Sequence, residues 1–202
     1  MTQAPDGRPL IGEVVRLDRL VASDIDPLYA AIGNEQVYAG GFSGGIAGMP
    51  ADADEMRAQW EKSAADRFAY VVRLAVDSPL GAAGTVVGTT SLGDVDLYNE
   101  SVHLGWTGYA PSVWGTAVNP ATKLLLLQHA FEDCGFGRVK IQTGSANARS
   151  QAAIAKLGAI REGVLRRHKR LPDGTFRDTV VFSILADEWP DVRKRLQDRI
   201  SR

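Results

Sequence analysis

Residues 106–158 read WTGYAPSVWGTAVNPATKLLLLQHAFEDCGFGRVKIQTGSANARSQAAIAKLG, and their parsing as strand, polar loop, helix, strand, loop and helix decides the fold. The loop Pro111-Ser112-Val113-Trp114-Gly115-Thr116-Ala117-Val118 runs into Asn119-Pro120, a capping residue followed by proline at the first helical position. Such a loop aims unpaired backbone N–H groups and the positive end of a helix dipole at one point, where a phosphate or pyrophosphate fits. In the helix that follows, Leu124, Leu127, Phe131 and Cys134 form an apolar stripe, and Gly135 supplies the stop. Lys123 and Gln128 are expected to face outward. The next strand, residues 138–143, alternates Val139, Ile141 and Thr143 with Lys140 and Gln142. A strand–helix–strand unit of this length makes a right-handed parallel crossover.

These residues resemble the GNAT superfamily of acyl-CoA N-acyltransferases, and within it the branch that includes the ribosomal-protein N-terminal acetyltransferases. The superfamily's pyrophosphate loop has the form Gln/Arg-x-x-Gly-x-Gly/Ala. Residues 112–117 match it at Gly115 and Ala117 and depart from it at Ser112. Asn147-Ala148-Arg149-Ser150 fits the downstream pattern Asn-x-x-Ala/Ser, and Lys156-Leu157-Gly158 fits Lys-x-Gly. The resemblance extends loosely over residues 14–190 and implies one GNAT-like α/β domain across residues 1–202. Its central sheet would be mixed, mostly antiparallel and flanked by helices, with one parallel strand pair splayed around the pantetheine arm of acetyl-CoA. The implied cosubstrate contacts are Trp106, Thr107, Val113, Trp114, Gly115, Thr116, Ala117, Val118, Asn119, Asn147 and Ser150.

Acyl transfer from a thioester to an amine needs a neutral amine, a polarised carbonyl and often a proton for the leaving thiolate. A backbone N–H near the end of Gly105-Trp106-Thr107-Gly108-Tyr109 can hold the carbonyl, and Gly108 tolerates the bulge that would free it. Relatives commonly carry glutamate two residues before the glycine matching Gly105, and this chain has His103 there. Imidazole titrates near neutral pH and can take the amine proton, directly or through water. The alternative is a solvent-facing strand residue, with Glu100 as the fallback base. Many family members place tyrosine seven residues after the loop asparagine to protonate the thiolate. Ile154 stands there, which leaves Ser150 as the candidate acid, although an N-cap role accounts for it as well. Asn147 is either a cofactor ligand or a turn residue.

Upstream, residues 14–17 read as a short strand, and Ser23 as the cap of a helix through Leu28 and Ile32. Asp52 and Glu55 have capping-box spacing ahead of a helix that buries Met56 and Trp60. Residues 68–76 and 86–92 alternate as strands, and Val102, Leu104 and Trp106 give the next strand its core face. Residues 33–50, with six glycines and no periodicity, read as a long loop. In the resembled family this region walls the acceptor cleft, so Tyr38 and Phe42, with Tyr109 at the strand end, are candidate substrate-binding residues. Residues 160–170 and 176–185 form a hairpin around Pro172-Asp173-Gly174, and residues 188–202 a mixed-charge helix.

At 202 residues and 21.8 kDa the chain fits a single domain. A net charge of −1 supplies no bulk field for nucleic acid or an anionic membrane. The basic run Arg166-Arg167-His168-Lys169-Arg170 has no interleaved aromatics, and alternation divides it between two faces, so it reads as a solvated or partner-contacting ribbon. One cysteine excludes an internal disulfide, and no metal site is expected. With no membrane span and no signal peptide, a cytoplasmic protein is expected. The resulting expectation is an acetyl-CoA-dependent N-acetyltransferase acting on a primary amine, either a peptide or protein N-terminus or a small molecule. A catalytically silent acyl-CoA-binding module for sensing or assembly is the alternative, and a homodimer is compatible with either.

Overall fold

The computed structural model describes residues 1–201. Eight strands make one sheet: β1 (Leu10–Ile11), β2 (Val15–Arg19), β3 (Arg67–Leu74), β4 (Val86–Asp96), β5 (Ser101–Tyr109), β6 (Arg138–Gly144), β7 (Ile160–Arg170) and β8 (Phe176–Leu185). They lie in the order β1-β2-β3-β4-β5-β6-β8-β7, and only β5 and β6 run parallel. The helices are α1 (Ile25–Ile32), α2 (Glu35–Ala39), α3 (Ala53–Ser63), α4 (Val118–Gln128), α5 (Ala148–Ala155) and α6 (Trp189–Ile200).

Alternation along the strands feeds two cores, one on each face. On β3, Tyr70, Val72 and Leu74 join the larger cluster, which takes Leu126 and Leu127 from α4, Ile154 from α5, and Val192 and Leu196 from α6. Ala69 and Val71 point the other way, into the cluster beneath α1, α2 and α3 with Ile25, Ile32, Tyr38 and Met56. Burying these side chains is worth about 1.5–3 kcal/mol for each large one, which fixes the register on both faces.

Several local expectations shift. Ser23 does not cap α1: the entry is a short 3₁₀ turn in which the Asp24 carboxylate accepts the N–H of Val21 at 3.1 Å. Asp52 does cap α3, accepting the N–H of Glu55 at 2.8 Å. Residues 33–50 are more ordered than their glycines suggest. Asn34 caps α2 by accepting the N–H of Val37, and two 3₁₀ turns, Phe42–Gly44 and Ile46–Gly48, follow. Cys134 is buried at the end of the α4 extension, as the apolar stripe requires, and Gly135 takes the left-handed conformation, φ +71°. Among the described residues no helix is long and apolar enough to cross a membrane, and no cluster of three or more metal-ligand side chains occurs.

Candidate active site

The site begins where the parallel ladder stops. Ser101, Val102 and His103 pair with Arg138, Val139 and Lys140, and the two strands then part. β6 stays on β8 through Gly144. On its other side β5 carries one extra residue against β4: Ser91 faces Gly105, whereas Thr89 faces Gly108. Trp106 absorbs the bulge with φ +50°. The bulge therefore centres two residues before Gly108. It turns the indole out of the core, so Trp106 is 37% exposed and is not a core residue. The parted strands open into a cleft of about 1090 Å³ that crosses the middle of the sheet.

One end of the cleft is a backbone cradle. Residues Pro111–Val113 make a 3₁₀ turn, and the Trp114 indole N–H donates to the carbonyl of Tyr109 at 3.0 Å. Gly115 has φ +79°, and no atom lies within 4 Å of where its Cβ would stand. The amides of Gly115, Ala117 and Asn119 have no acceptor among the described residues. Three free amides around a helix N-terminus are donors of the kind that suit an anion such as a phosphate group. The helix starts at Val118, two residues earlier than Asn119-Pro120 suggests. Ala117 holds the N-cap position, and Thr116 Oγ1 just before it donates to the Val113 carbonyl at 2.7 Å and accepts the Val118 N–H at 3.3 Å. Asn119 is thus a helical residue and not the cap. The Val118 side chain is fully buried, so only its main chain can serve a ligand.

Beside the bulge lies a polar cluster. His103 is 3% exposed, not solvent-facing, and its ring packs 4.6 Å from the Trp106 ring. Its Nδ1 is 3.2 Å from the Asp94 carboxylate, but out of line for a hydrogen bond, and neither ring nitrogen has a hydrogen-bond partner among the described residues. Burial, reinforced by the charge of Lys140, pushes the imidazole down to about 4, so it is neutral at pH 7. Burial works to raise Asp94, but the hydrogen bond and charge of Lys140, 2.9 Å away, outweigh it and hold the carboxyl below its usual range.

Sequence reasoning missed Lys123. It does not face outward: its Nζ donates to Thr107 Oγ1 at 2.9 Å inside the cleft, and Thr107 Oγ1 is 2.9 Å from Thr90 Oγ1. Burial pushes the ammonium down to about 7. The signal was present, because Lys123 precedes the buried Leu126 and Leu127 by three and four positions and shares their helix face.

At the α5 side, Asn147 and not Ser150 is the N-cap. Its Oδ1 accepts the Ser150 N–H at 2.9 Å, while its amide donates to the Gly40 carbonyl. The Asn147 side chain is therefore engaged at both ends within the protein. Ser150 sits one turn in and lines the cleft. Tyr38 is buried with its ring edge-on to Phe42 at 5.3 Å, and burial pushes its hydroxyl up to about 12. Phe42 lies 3.0 Å from the Cβ position of Gly108, an approach that only glycine allows. Tyr109 lines the cleft as well. Glu100 is not brought to it: the residue is exposed in the turn before β5, where its carbonyl accepts the N–H groups of Gly137 and Arg138.

A mostly antiparallel sheet with one splayed parallel pair, and an amide cradle at the mouth of the splay, defines a class of acyl-group transferases. Residues 15–160 match the model of the family described as "Acetyltransferase (GNAT) domain", and the chain belongs to that family. It is 28% identical over 144 residues, 69% of this chain and 74% of the relative, to the Bacillus subtilis strain 168 protein named "Putative ribosomal N-acetyltransferase YdaF". Among solved structures, a GCN5-related N-acetyltransferase from Brucella melitensis superposes with a TM-score of 0.85. The two are 26% identical, covering 98% of this chain and 87% of that one. Mycobacterium smegmatis RimJ in complex with CoA-disulfide shares the fold at 23% identity and TM-score 0.74, covering 95% and 91% of the two chains.

Proposed function

We propose that the protein moves the acetyl group of acetyl-CoA to a primary amine by direct attack within a ternary complex, the acceptor being a peptide or protein N-terminus or a small amine. The observation that carries this reading is the parting of β5 from β6 into a cleft that is also lined by Gly115 and Asn119, whose amides are free. Acetyl-CoA would supply the activated acyl group through its thioester.

The chain's own residues supply the rest. The amides of Gly115, Ala117 and Asn119 hold the pyrophosphate. Thr107, held by Lys123, fixes the strand end along which the pantetheine arm lies. The β5 main chain past the bulge offers a donor to the acyl carbonyl. His103, neutral and unpartnered, accepts the amine proton, and Asp94 stands 3.2 Å away to stabilise the imidazolium that results. Tyr38, Phe42 and Tyr109 wall the acceptor side. No tyrosine replaces Ile154 as an acid, and a thiolate whose conjugate acid has a pKa of about 8.5 departs without one. The test is thiol release from acetyl-CoA with a panel of amines. Calorimetric binding of acetyl-CoA without thiol release for any amine would reduce the protein to a binding module.

A further inference from the structure

The charge lining the cleft does not match the charge of the chain. The sequence carries 23 Lys and Arg against 24 Asp and Glu. Around His103 and the hairpin tip, however, the cleft is lined by Lys62, Arg67, Lys169, Arg170 and Arg177 and by one carboxylate, Asp94. Asp94 is already committed to Lys140. None of the five cations forms a salt bridge among the described residues. The Nε atoms of Arg67 and Arg177 are buried with no hydrogen-bond partner among the described residues. Burial pushes both guanidinium groups below the usual arginine value. Burying unpartnered cations is costly, and the cost is recovered when an anion arrives.

The phosphates expected at the amide cradle do not account for these residues. Arg67 lies over the Trp106 ring at 5.2 Å, and its main chain shares a row of the sheet with Gly93 and His103, towards the start of β5 and away from the cradle. Arg177 reaches the end of β6, with Nη1 3.1 Å from the Cβ position of Gly144, and it follows the turn whose Pro172 packs against Gly44 and Gly48 of the acceptor wall.

We infer that the acceptor is an anionic amine, whose amino group enters beside His103 while carboxylates on its own body settle on Arg67 and Arg177, with Lys169 and Arg170 at the rim. The inference rests on the acetyl-transfer reading above. Two sources share this chemistry: a free acidic amino acid, and a peptide with aspartate or glutamate just after its N-terminus. A field of this sign also draws such acceptors in, raising capture about tenfold or more at low salt.

The experiment compares kcat/KM, by thiol release, for N-terminal serine hexapeptides that are otherwise acidic, neutral or basic, together with free glutamate and ethanolamine. The acidic peptide or glutamate should exceed its uncharged counterpart by about tenfold or more, and added salt should erode that margin. Which of the two leads identifies the source. In Arg67→Gln and Arg177→Gln the ratio of acidic to neutral acceptor should collapse, and because the ratio is internal, partial loss of folded protein does not affect it. Equal kcat/KM for acidic, neutral and basic acceptors, or a margin insensitive to salt, would overturn the inference and leave acetyl transfer standing. Absence of thiol release with every amine would instead remove the transferase reading.

Discussion

The two ends of the cleft are built from different material. At the cradle, the groups proposed to bind are free main-chain amides of one contiguous stretch, residues 115–119, and side chains merely fix their direction. At the acceptor end, side chains arrive from positions as far apart as Lys62 and Arg177, and the main chain only carries them. A backbone site is written locally, by a left-handed glycine, a capping hydroxyl and a helix start. A side-chain site is written in sheet register, so it has no signature in any one window of sequence.

The largest expected effect breaks the acceptor end alone. His103→Ala should lower turnover by about 10²–10⁴-fold while acetyl-CoA affinity stays nearly constant, measured by steady-state kinetics beside calorimetry. Because burial depresses the imidazole to about 4, its titration should leave no rising limb in the native pH–rate profile above about pH 6. A His103-dependent limb near neutrality would contradict the buried, neutral assignment.

Gly115→Asp should break the opposite end. A carboxylate in the cradle faces phosphate, and like charges in contact cost several kcal/mol, so acetyl-CoA affinity should fall by about a hundredfold or more. At saturating acetyl-CoA the turnover should recover. Native affinity in this variant would move the pyrophosphate elsewhere.

Lys123 stands between the two ends and should separate stability from activity. Its folded value of about 7 lies below the ordinary 10.5, so the unfolded chain binds more protons between those limits. Native stability should therefore rise with pH from about 7 to 10.5, the penalty of burying the ammonium being fully present below 7. Lys123→Met should melt a few degrees higher than the native protein at pH 6, with the gap closing towards pH 10, while losing activity. A gap independent of pH would show that the amine is not buried as a cation.

The smallest effect is structural. Asn147→Ala removes the α5 cap and the tie to Gly40, and it should cost about 1 kcal/mol in a urea titration.

The sequence made the crossover, the hairpin and the cradle legible because each depends on local chemistry: Gly135 as a stop, Pro172-Asp173-Gly174 as a turn, Gly115 ahead of a helix. It misled at Trp106, Lys123 and Ser150. Trp106 obeys the alternation of Val102 and Leu104 only if β5 is regular, and a bulge cannot be counted without its partner strand. Charge alone places Lys123 outward, whereas its helical position points inward. Ser150 yielded the cap to Asn147 because the helix begins at Ala148, a boundary that propensity places only to within a residue or two. That Arg67 and Arg177 line one cleft was invisible for the same reason as the bulge. The arrangement exists only once β3 and β8 have found their neighbours.

The extra residue in β5 makes that strand two half-strands out of phase. Before it, even-numbered side chains, Val102 and Leu104, enter the α4 core; after it, the odd-numbered Thr107 and Tyr109 face the same side. Excising Trp106 would bring the two halves back into step along a shorter strand, with Thr107 and Tyr109 retained on the α4 side. Excising Gly105 and Trp106 together would invert everything beyond them, sending Thr107 away from Lys123 and Tyr109 out of its packing. Length variation in this strand is therefore quantised: a change of one residue edits the bulge, and a change of two exchanges the faces of the sheet.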